Sequence, residues 1–251
     1  MPDTSSCQFE QRPRRLVMGA VGLQPDFCKM CNVRPSSVCS AIEDEDISRL
    51  SEAAVETIIT PGRCFIEEGE PATDFFNVTS GTVKLFKALP DGRRQITGFA
   101  GPGHFLGLAV SDRYAFGAEA VDTVRLCRFS RERMRALLDD FPRMERRLLE
   151  EASNELVAAQ NQMLLLGRKT ARERVASFLL DQANHGELNS AGQLHLPMTR
   201  GDIADYLGLT IETVSRTLSW MRAQGMIDVG KGYAITLLSR ERLESLAEGE
   251  D

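Results

Sequence analysis

The stretch at 198–222, MTRGDIADYLGLTIETVSRTLSWMR, contains two helix starts with a turn glycine just before the second one, and it constrains the fold more than any other part of the chain. Thr199, followed by Asp202 three residues later, has the pattern of a capping box that begins a helix. Gly208 is suited to end that helix in a tight turn, and Thr210 can cap the next one. The second helix has an apolar face formed by Val214, Leu218 and Met221. Two short helices joined in this way predict a helix-turn-helix.

One exposed face of the second helix carries side chains that can read DNA bases. Glu212, Ser215 and Arg216 stand at i, i+3 and i+4, so they share a face near the start of the helix. Arginine can donate two hydrogen bonds to guanine, and glutamate can accept one from cytosine. The same spacing also fits a plain Glu–Arg surface ion pair. The segment at 226–237, however, predicts the two strands of a wing, and a helix-turn-helix followed by a wing favours base reading. We therefore predict a winged helix that binds double-stranded DNA. Further DNA contacts are expected from Thr199, Arg200, Thr210 and Thr213, the first two toward phosphate.

The charge of the chain is unevenly placed. Its formal net charge of −6 would by itself disfavour a nucleic acid partner. Residues 168–239, however, hold eight basic and seven acidic side chains, while the last twelve residues hold two basic and five acidic ones. The predicted DNA-binding segment is therefore nearly neutral, and the position of its cations matters more than their number.

Several classes of protein do not fit the sequence. No apolar run reaches the roughly 18–20 residues that a membrane helix needs, and no apolar stretch follows the basic residues near the N-terminus as it would in a signal peptide. Paired carboxylates, a Ser/His/Asp set and a phosphate-binding loop are all missing from the pattern. We therefore expect a cytoplasmic protein that is not an enzyme and that has no membrane partner.

Short apolar or alternating runs, broken by turn residues, follow one another between Pro61 and Phe129. They include FFNV at 75–78, TVKLFKAL at 82–89, QITGF at 95–99 and AVDTVRLCRF at 120–129. Many short strands at this spacing predict a small antiparallel roll. A short helix is expected before the roll, over residues 46–59.

These features together predict an α+β chain with an N-terminal antiparallel β-roll of the jelly-roll type. The predicted parts are an arm with a cysteine loop at 1–45, the roll at 46–142, a long helix at 143–168 and the winged helix-turn-helix at 169–251. Within the last part, an amphipathic helix is expected at 171–184 and a hairpin at 185–196.

A sustained apolar repeat marks the long helix. Its members are spaced alternately three and four residues apart: Leu149, Ala152, Leu156, Ala159, Met163 and Leu166. Such a repeat is typical of a helix that packs on its own domain or of one that pairs with a second copy. The acidic neighbours Glu150, Glu151 and Glu155 favour self-pairing, so we predict a homodimer. Because two members are alanines that bury little surface, the seam is expected to be marginal.

Three of the six cysteines fall within twelve residues, as Cys28-x2-Cys31-x7-Cys39. A disulfide framework belongs to short secreted chains, and nothing here indicates secretion. A structural zinc site usually shows two CxxC knuckles or a Cys/His pair, whereas iron–sulfur clusters commonly use several close cysteines and one remote one. Cys127 fits the remote position, and the alternative is a buried strand thiol. Cys64 is interpreted as a strand thiol and Cys7 as a free thiol of the arm.

The segment TRGDIADYLGLTIETVSR, with its Glu-x-x-Ser-Arg motif, resembles the helix-turn-helix of the FNR branch of the CRP/FNR transcription regulators. The resemblance covers most of the chain, since it includes the cysteine loop, a roll with a QITGF segment, the long helix and the winged helix. The seven-residue gap between Cys31 and Cys39 resembles the FnrL/FnrN-type members of α-proteobacteria. Enterobacterial members have a shorter gap, so the loop around the cysteines must differ from theirs.

The resemblance implies one [4Fe–4S] cluster per subunit, with Cys28, Cys31, Cys39 and Cys127 as its ligands. It implies a homodimer that binds a TTGAT-N4-ATCAA-like palindrome, mainly as an activator of anaerobic genes, and that releases DNA when O2 destroys the cluster. It also implies contacts with the sigma and alpha subunits of RNA polymerase. The exposed turn of Asp91, Gly92, Arg93 and Arg94 is a candidate for that contact, with a plain hairpin tip as the alternative.

In the CRP branch the same roll binds cyclic AMP through a Gly-Glu segment and an Arg-Ser pair. The corresponding stretch at 103–121 lacks both features, and Glu119 lies away from the expected place. We therefore expect no cyclic nucleotide. The alternative to an oxygen sensor is a CRP-like regulator that holds a small-molecule effector in the roll and uses its cysteines for zinc or for a thiol-redox switch.

Overall fold

A computed structural model of the 251-residue chain describes residues 25–108, 112–185, 193–230 and 234–250. These residues form two compact units. The first unit contains the described residues up to Val83 together with Pro102–Leu148, and the second contains Lys84–Gly101 together with the described residues from Leu149 onward. Most of the predicted arm, including Cys7, lies outside the described residues.

Helices and short strands alternate as the predicted α+β class requires. The α-helices of the described residues are α1 (Pro25–Lys29), α2 (Ile47–Ala53), α3 (Arg131–Asp140), α4 (Pro142–Arg168), α5 (Ala171–His185), α6 (Arg200–Leu207), α7 (Ile211–Ala223) and α8 (Arg240–Glu248). The strands are β1 (Ala54–Ile59), β2 (Cys64–Ile66), β3 (Asp74–Ser80), β4 (Val83–Ala88), β5 (Arg94–Ala100), β6 (Phe105–Leu106), β7 (Gly117–Ala120), β8 (Val124–Ser130), β9 (Leu194–His195), β10 (Ile227–Val229) and β11 (Ala234–Leu237). Three short 3-10 helices, at Arg34–Ser36, Val38–Ala41 and Asp44–Asp46, lie between α1 and α2.

The first unit contains an antiparallel sheet with the strand order β1-β8-β3-β6. Strand β8 lies inside the sheet, so its residue Cys127 has Glu56 of β1 on one side and Asn77 of β3 on the other. In the same unit β2 pairs with β7, which places Cys64 opposite Glu119. The strands predicted from the four apolar runs are confirmed, and the interpretation of Cys64 as a strand thiol is confirmed with them.

The helix predicted over 46–59 is wrong in its second half. Helix α2 ends at Ala53, and residues 54–59 form strand β1. The apolar spacing fitted a helix, but Val55, Thr57 and Ile58 are β-branched and favour a strand. All six residues of β1 pair with β8, and this long-range pairing outweighs the local helical pattern.

The apolar core of the first unit connects the cysteine loop to the start of the long helix. The core contains Ile47 and Leu50 of α2, Met134 of α3, and Met144 and Leu148 of the first turns of α4. Cys28, Cys39 and Cys127 belong to the same core. The cysteines and the base of α4 therefore belong to one apolar core.

The second unit contains the hairpin strands β4 and β5, most of α4 and the C-terminal domain. Strands β10 and β11 pair antiparallel, as predicted for a wing, and β11 also pairs with β9. Of the predicted hairpin at 185–196, residues 186–192 lie outside the described part, and Leu194–His195 pairs with β11. The turn of the wing at 231–233 also lies outside it.

Candidate functional site

Four cysteines line one pocket in the first unit. They are Cys28 of α1, Cys31, Cys39 of the 3-10 helix Val38–Ala41, and Cys127 of β8. The pocket has an empty volume of about 270 Å3, including space open to solvent, and Phe27, Leu50 and Phe129 complete its apolar wall. Residues that are distant in the sequence are thus brought together as the sequence analysis predicted.

Burial dominates the chemistry of these thiols. It raises the pKa of Cys28, and it raises the pKa of Cys39 to about 12. The pKa of Cys127 is also raised, first by burial and then by the neighbouring cysteines. Side-chain hydrogen bonds from Ser51 to Cys28 and from Ser37 to Cys39 act in the opposite direction without offsetting the burial. These three thiols therefore keep their protons at neutral pH, and a metal that binds them must displace those protons.

Two polar side chains, Asn77 and Arg34, share the pocket with the cysteines. The Nδ2 atom of Asn77 lies 3.8 Å from the Sγ atom of Cys39. Arg34 donates to Oδ1 of Asp44 and to the carbonyl of Ile42, at 2.5 Å in both cases. Asn77 Oδ1 and Arg34 Nε are buried, and neither has a hydrogen-bond partner among the described residues. Sequence reasoning missed both side chains, although Arg34 lies between Cys31 and Cys39 and could have been considered on that ground.

The donor set has the composition that an iron–sulfur cluster uses, with three cysteines of a loop and one of a strand. A zinc ion requires its sulfur ligands within about 2.3 Å of one point. In the described part of the chain, no three His, Cys, Asp or Glu side chains are close enough together to hold one metal ion. In a [4Fe–4S] cluster each cysteine binds a different iron, so the four sulfurs lie farther apart. Four thiols around one apolar pocket, with hydrogen-bond donors beside them, have the chemistry that such a cluster needs.

The helix-turn-helix is confirmed in its capping as well as in its helices. The side chain of Thr199 accepts from the backbone N–H of Asp202, whose carboxylate accepts from the backbone N–H of Thr199, which completes the predicted capping box. Gly208 ends α6 with φ +61°, in the left-handed region that favours glycine. Thr210 accepts from the N–H of Thr213 and so caps α7. The predicted inner face of Val214, Leu218 and Met221 is buried.

The predicted reading face of α7 is open to solvent. Glu212, Ser215 and Arg216 are all exposed. In the described residues Arg216 makes no ion pair with Glu212, and its Nη2 atom lies 3.5 Å from Oγ1 of Thr213. The pKa of Glu212 is lowered by a hydrogen bond from its own backbone N–H, then by Thr210, and less by Arg216, so this side chain is a carboxylate at neutral pH. The surface ion pair considered as the alternative is therefore not formed.

A concave surface beside α7 adds residues that the sequence analysis missed. It has an empty volume of about 500 Å3 and is lined by Arg200, Ser215, Leu218, Ser219, Arg222 and Val229. Arg200 is half-buried, and this burial lowers its pKa. Arg222 lies 3.7 Å from Asp228 of β10. The position of Arg200 beside the reading face suits its predicted phosphate contact, which stays a prediction, as do the contacts of Thr199, Thr210 and Thr213.

Side chains from four other elements, β4, β5, α4 and α5, hold α6 in place within the second unit. Nζ of Lys84 on β4 lies 2.8 Å from Oδ1 of Asp202, and both side chains are about nine-tenths buried, with exposures of 10% and 11%. Burial alone would raise the pKa of Asp202, but hydrogen bonds from Lys84 and Thr199 outweigh it and lower the pKa. At the other end of α6, Gln95 donates to the carbonyl of Asp205 at 2.6 Å, Gln162 to that of Tyr206 at 2.7 Å and Arg174 to that of Leu207 at 2.9 Å. Sequence reasoning missed these contacts.

The predicted seam of α4 is largely exposed in the single chain. Leu149, Leu156 and Met163 are 64%, 60% and 65% exposed, and Ala152 and Ala159 are also exposed, while Leu166 is partly buried. Val157 and Leu164 extend the same apolar surface. Among the described residues this surface is left open to solvent, and its role in pairing stays a prediction.

The turn predicted to contact RNA polymerase is mostly exposed. Asp91, Gly92 and Arg93 are open to solvent, and Arg93 and Asp91 form an ion pair at 2.8 Å. Arg94 differs from them, because its guanidinium stacks over the ring of Phe86 at 5.2 Å.

A search of the helices in the described residues found none with the length and apolar character of a membrane span.

Comparison with known proteins agrees with both parts of the chain. Residues 173–246 match the family model of the Crp-like helix-turn-helix domain, and residues 56–141 match that of the cyclic nucleotide-binding domain. The chain is 41% identical to the nitrogen fixation regulation protein FixK of Bradyrhizobium diazoefficiens, over 88% of this chain and 94% of that protein. It is 34% identical to the transcriptional activator protein FnrL of Cereibacter sphaeroides, over 89% of this chain and 93% of that one.

The fold has a counterpart among solved structures. The structure of FixK2 from Bradyrhizobium japonicum matches with a TM-score of 0.73 at 40% identity, and the match covers 77% of this chain and 96% of that one. The β-rich N-terminal roll, the long helix and the C-terminal helix-turn-helix are thus confirmed as a known combination. This chain belongs to the CRP/FNR family of transcription regulators, whose members are DNA-binding proteins rather than enzymes.

Proposed function

We propose that the chain is an oxygen-responsive transcription activator of the FNR type. A [4Fe–4S] cluster bound by Cys28, Cys31, Cys39 and Cys127, one per subunit, supports the homodimer that binds a TTGAT-N4-ATCAA-like palindrome. Exposure to O2 removes this support, and the protein then releases DNA. Regulators of this family bind DNA and form homodimers, and the names of the relatives FnrL and Anr describe transcriptional activators.

The observation that carries the proposal is the convergence of four cysteines on one pocket. Three of these cysteines come from one short loop, whereas Cys127 comes from a strand about ninety residues later. Cysteines that served only as apolar core residues would not need to meet at one pocket. When bound, the cluster supplies an oxygen-labile tie between the cysteine loop and strand β8. The protein supplies the four ligands, the apolar wall of Phe27, Leu50 and Phe129, and the polar side chains of Arg34 and Asn77.

The packing around the pocket suggests how such a tie reaches the long helix. Met144 and Leu148 of α4 belong to the same apolar core as Cys28, Cys39 and Cys127. Arg143 of α4 also forms an ion pair with Glu43 of the loop at 2.6 Å. The exposed surface of α4 begins one residue after Leu148, at Leu149. When the cluster is lost, the cysteine loop is no longer tied to β8. The base of α4, whose exposed face is proposed to pair the subunits, is then held less firmly.

The DNA side of the proposal rests on α7. Glu212, Ser215 and Arg216 are exposed together near the start of a capped helix, where a reading helix enters the major groove. One half-site held by a monomer binds far less tightly than two half-sites held by a dimer. Because the DNA-binding segment is nearly neutral, its affinity depends strongly on engaging both half-sites. Dimer control is therefore an effective switch for this chain.

Two further parts of the proposal concern partners. The turn at Asp91, Gly92 and Arg93 is proposed to contact RNA polymerase through its sigma or alpha subunit, with Arg94 beside it. The roll is proposed to take no cyclic nucleotide, since the stretch at 103–121 lacks the Gly-Glu and Arg-Ser features of the CRP branch; residues 109–111 of that stretch lie outside the described part.

The proposal is tested by a gel shift on a TTGAT-N4-ATCAA duplex, with protein prepared under nitrogen and assayed before and after air exposure. The wild type is expected to bind under nitrogen and to lose most of its binding in air. Cys39→Ser is expected to bind weakly in both conditions, whereas Cys64→Ser, which changes a cysteine outside the pocket, is expected to behave like the wild type. Equal binding by the wild type before and after air would reject oxygen control.

The alternative is a CRP-like regulator with a small-molecule effector and a zinc or thiol-redox site. Its specific support is the match of residues 56–141 to the cyclic nucleotide-binding domain. Under this alternative, anaerobically prepared protein contains zinc or no metal, and cyclic AMP or another effector raises its affinity for DNA.

A further inference from the structure

Asn77 is buried in the middle of β3 and lies between two of the four cysteines. It is 1% exposed and stands directly opposite Cys127 in the pairing of β3 with β8. Residues paired in this way carry their side chains on the same face of the sheet. Its Nδ2 atom also donates to the Sγ atom of Cys39, at 3.8 Å. The amide therefore connects the cysteine loop with the cysteine of the sheet.

The stability of the metal-free chain does not explain this asparagine. Its Oδ1 atom is buried without a hydrogen-bond partner among the described residues, and a thiol is only a weak acceptor for its Nδ2. Leu50 and Phe129 line the same pocket. Burying a half-satisfied amide among apolar side chains costs free energy that an apolar residue would not cost.

A cysteine sulfur that binds iron is a thiolate, and it is a stronger acceptor than a thiol. Hydrogen bonds to the sulfurs are among the factors that set the properties of iron–sulfur clusters. Arg34 supplies a cation on the loop side of the same pocket, with both Nη atoms fixed by Asp44 and Ile42. A cluster with four thiolate ligands is an anion overall, so the charge of Arg34 and the donor of Asn77 are complementary to it.

Building on the proposed function, we propose that Asn77 is a positioning residue for the cluster. Its Nδ2–H donates to the Cys39 sulfur in the bound state, fixes that ligand against the face of the sheet that carries Cys127, and slows the loss of iron. The buried asparagine thus acts on the bound group rather than on the fold.

The test is the rate at which iron passes from the loaded protein to a ferrous chelator under nitrogen, together with the unfolding temperature of the cluster-free chain. Asn77→Leu removes the donor and keeps a side chain of similar volume. It is expected to release iron about tenfold faster than the wild type, the effect of one hydrogen bond to a charged group. The cluster-free chain is expected to keep its unfolding temperature or to gain in it.

Thr57→Val is the matched control, because Oγ1 of Thr57 is likewise buried without a partner among the described residues but lies outside the pocket lining. It is expected to release iron at the wild-type rate. Equal rates for Asn77→Leu and the wild type would overturn the role of Asn77 and leave the cluster in place. A wild type that contains no iron–sulfur cluster would instead overturn the proposed function, and this inference with it. If Asn77→Leu and Asn77→Ala both unfold the cluster-free chain, Asn77 serves the fold and the inference is wrong.

Discussion

The cysteine pocket and the first helix of the helix-turn-helix both bury polar groups, but they satisfy them differently. At α6, Asp202 is paired with Lys84 and bonded to Thr199, and the last carbonyls accept from Gln95, Gln162 and Arg174. In the cysteine pocket, Asn77 Oδ1 and Arg34 Nε have no hydrogen-bond partner among the described residues. Burial also raises the pKa of Cys28, Cys39 and Cys127 there.

Around α6 the polar groups find their partners within the chain, whereas the pocket leaves polar groups that the proposed cluster would contact. The helix-turn-helix should keep its shape whatever the state of the cysteines, so that control acts on the pairing of two subunits rather than on the reading helix. The pocket should gain its order when its thiols lose their protons and bind metal. The predictions that follow are ranked by the size of the expected effect.

The largest effect is expected from Arg216→Ala, on the affinity for the specific duplex. One bidentate arginine–guanine contact is worth about 1–3 kcal/mol, so its loss in two half-sites should cost roughly 2–6 kcal/mol. Fluorescence anisotropy under nitrogen measures this loss. Arg240→Ala removes the same charge from α8 of the same domain and should have little effect. An unchanged affinity for Arg216→Ala would remove α7 from the reading role.

Lys84→Met should lower the free energy of unfolding by about 3–5 kcal/mol, because it leaves the buried carboxylate of Asp202 without its cation. Lys87→Met, an exposed lysine on the same strand, should change it little. Urea unfolding measures both. A small loss for Lys84→Met would show that α6 does not depend on partners from the hairpin, which would weaken the contrast with the cysteine pocket.

The pH dependence of the same pair has a definite sign. Because the pKa of Asp202 is lowered in the folded chain, its stabilisation is fully present above the unfolded pKa and is lost as the pH falls through the lowered value. The difference between the wild type and Lys84→Met should therefore be constant near neutral pH and shrink below about pH 4.

Leu156→Ala should weaken the dimer by about 2 kcal/mol while leaving the folding of the single chain unchanged, since Leu156 is 60% exposed there. Sedimentation equilibrium under nitrogen gives the dimer constant. Asn154→Ala, which lies on the opposite face of α4, is the matched control. Anaerobic dimers of equal strength in the wild type and Leu156→Ala would show that α4 is not the seam.

The smallest effect is expected from Thr210→Ala, which removes the cap of α7 and should cost about 1 kcal/mol of stability. Thr210→Ser keeps a capping hydroxyl and should recover most of that loss. Equal urea midpoints for both variants and the wild type would show that the cap contributes nothing.

The sequence predicted best what depends on neighbouring residues. The caps at Thr199 and Thr210 and the turn at Gly208 follow from local chemistry, so the helix-turn-helix was predicted almost residue by residue. The end of α2 was missed, because its boundary at Ala53 is decided by the pairing of β1 with β8. The cysteine pattern called for one remote ligand, and the family resemblance then implied that Cys127 is that ligand; no local pattern shows that it meets the loop.

Side-chain contacts between residues that are far apart in the sequence could not be predicted from it. Lys84 and Asp202 are separated by 118 positions, and nothing local marks either of them as half of a buried pair. Asn77 became notable only when the register placed it opposite Cys127. Contacts of this kind depend on how strands align, which periodicity alone does not specify.

The most direct test of the account is the iron and acid-labile sulfide content of protein purified under nitrogen, measured for the wild type, Cys127→Ser and Cys64→Ser. The account predicts about four iron and four sulfide per chain in the wild type and in Cys64→Ser, with visible absorption that bleaches in air, and a large loss in Cys127→Ser. A wild type without sulfide, or a Cys127→Ser variant with a full complement of iron and sulfide, would contradict it.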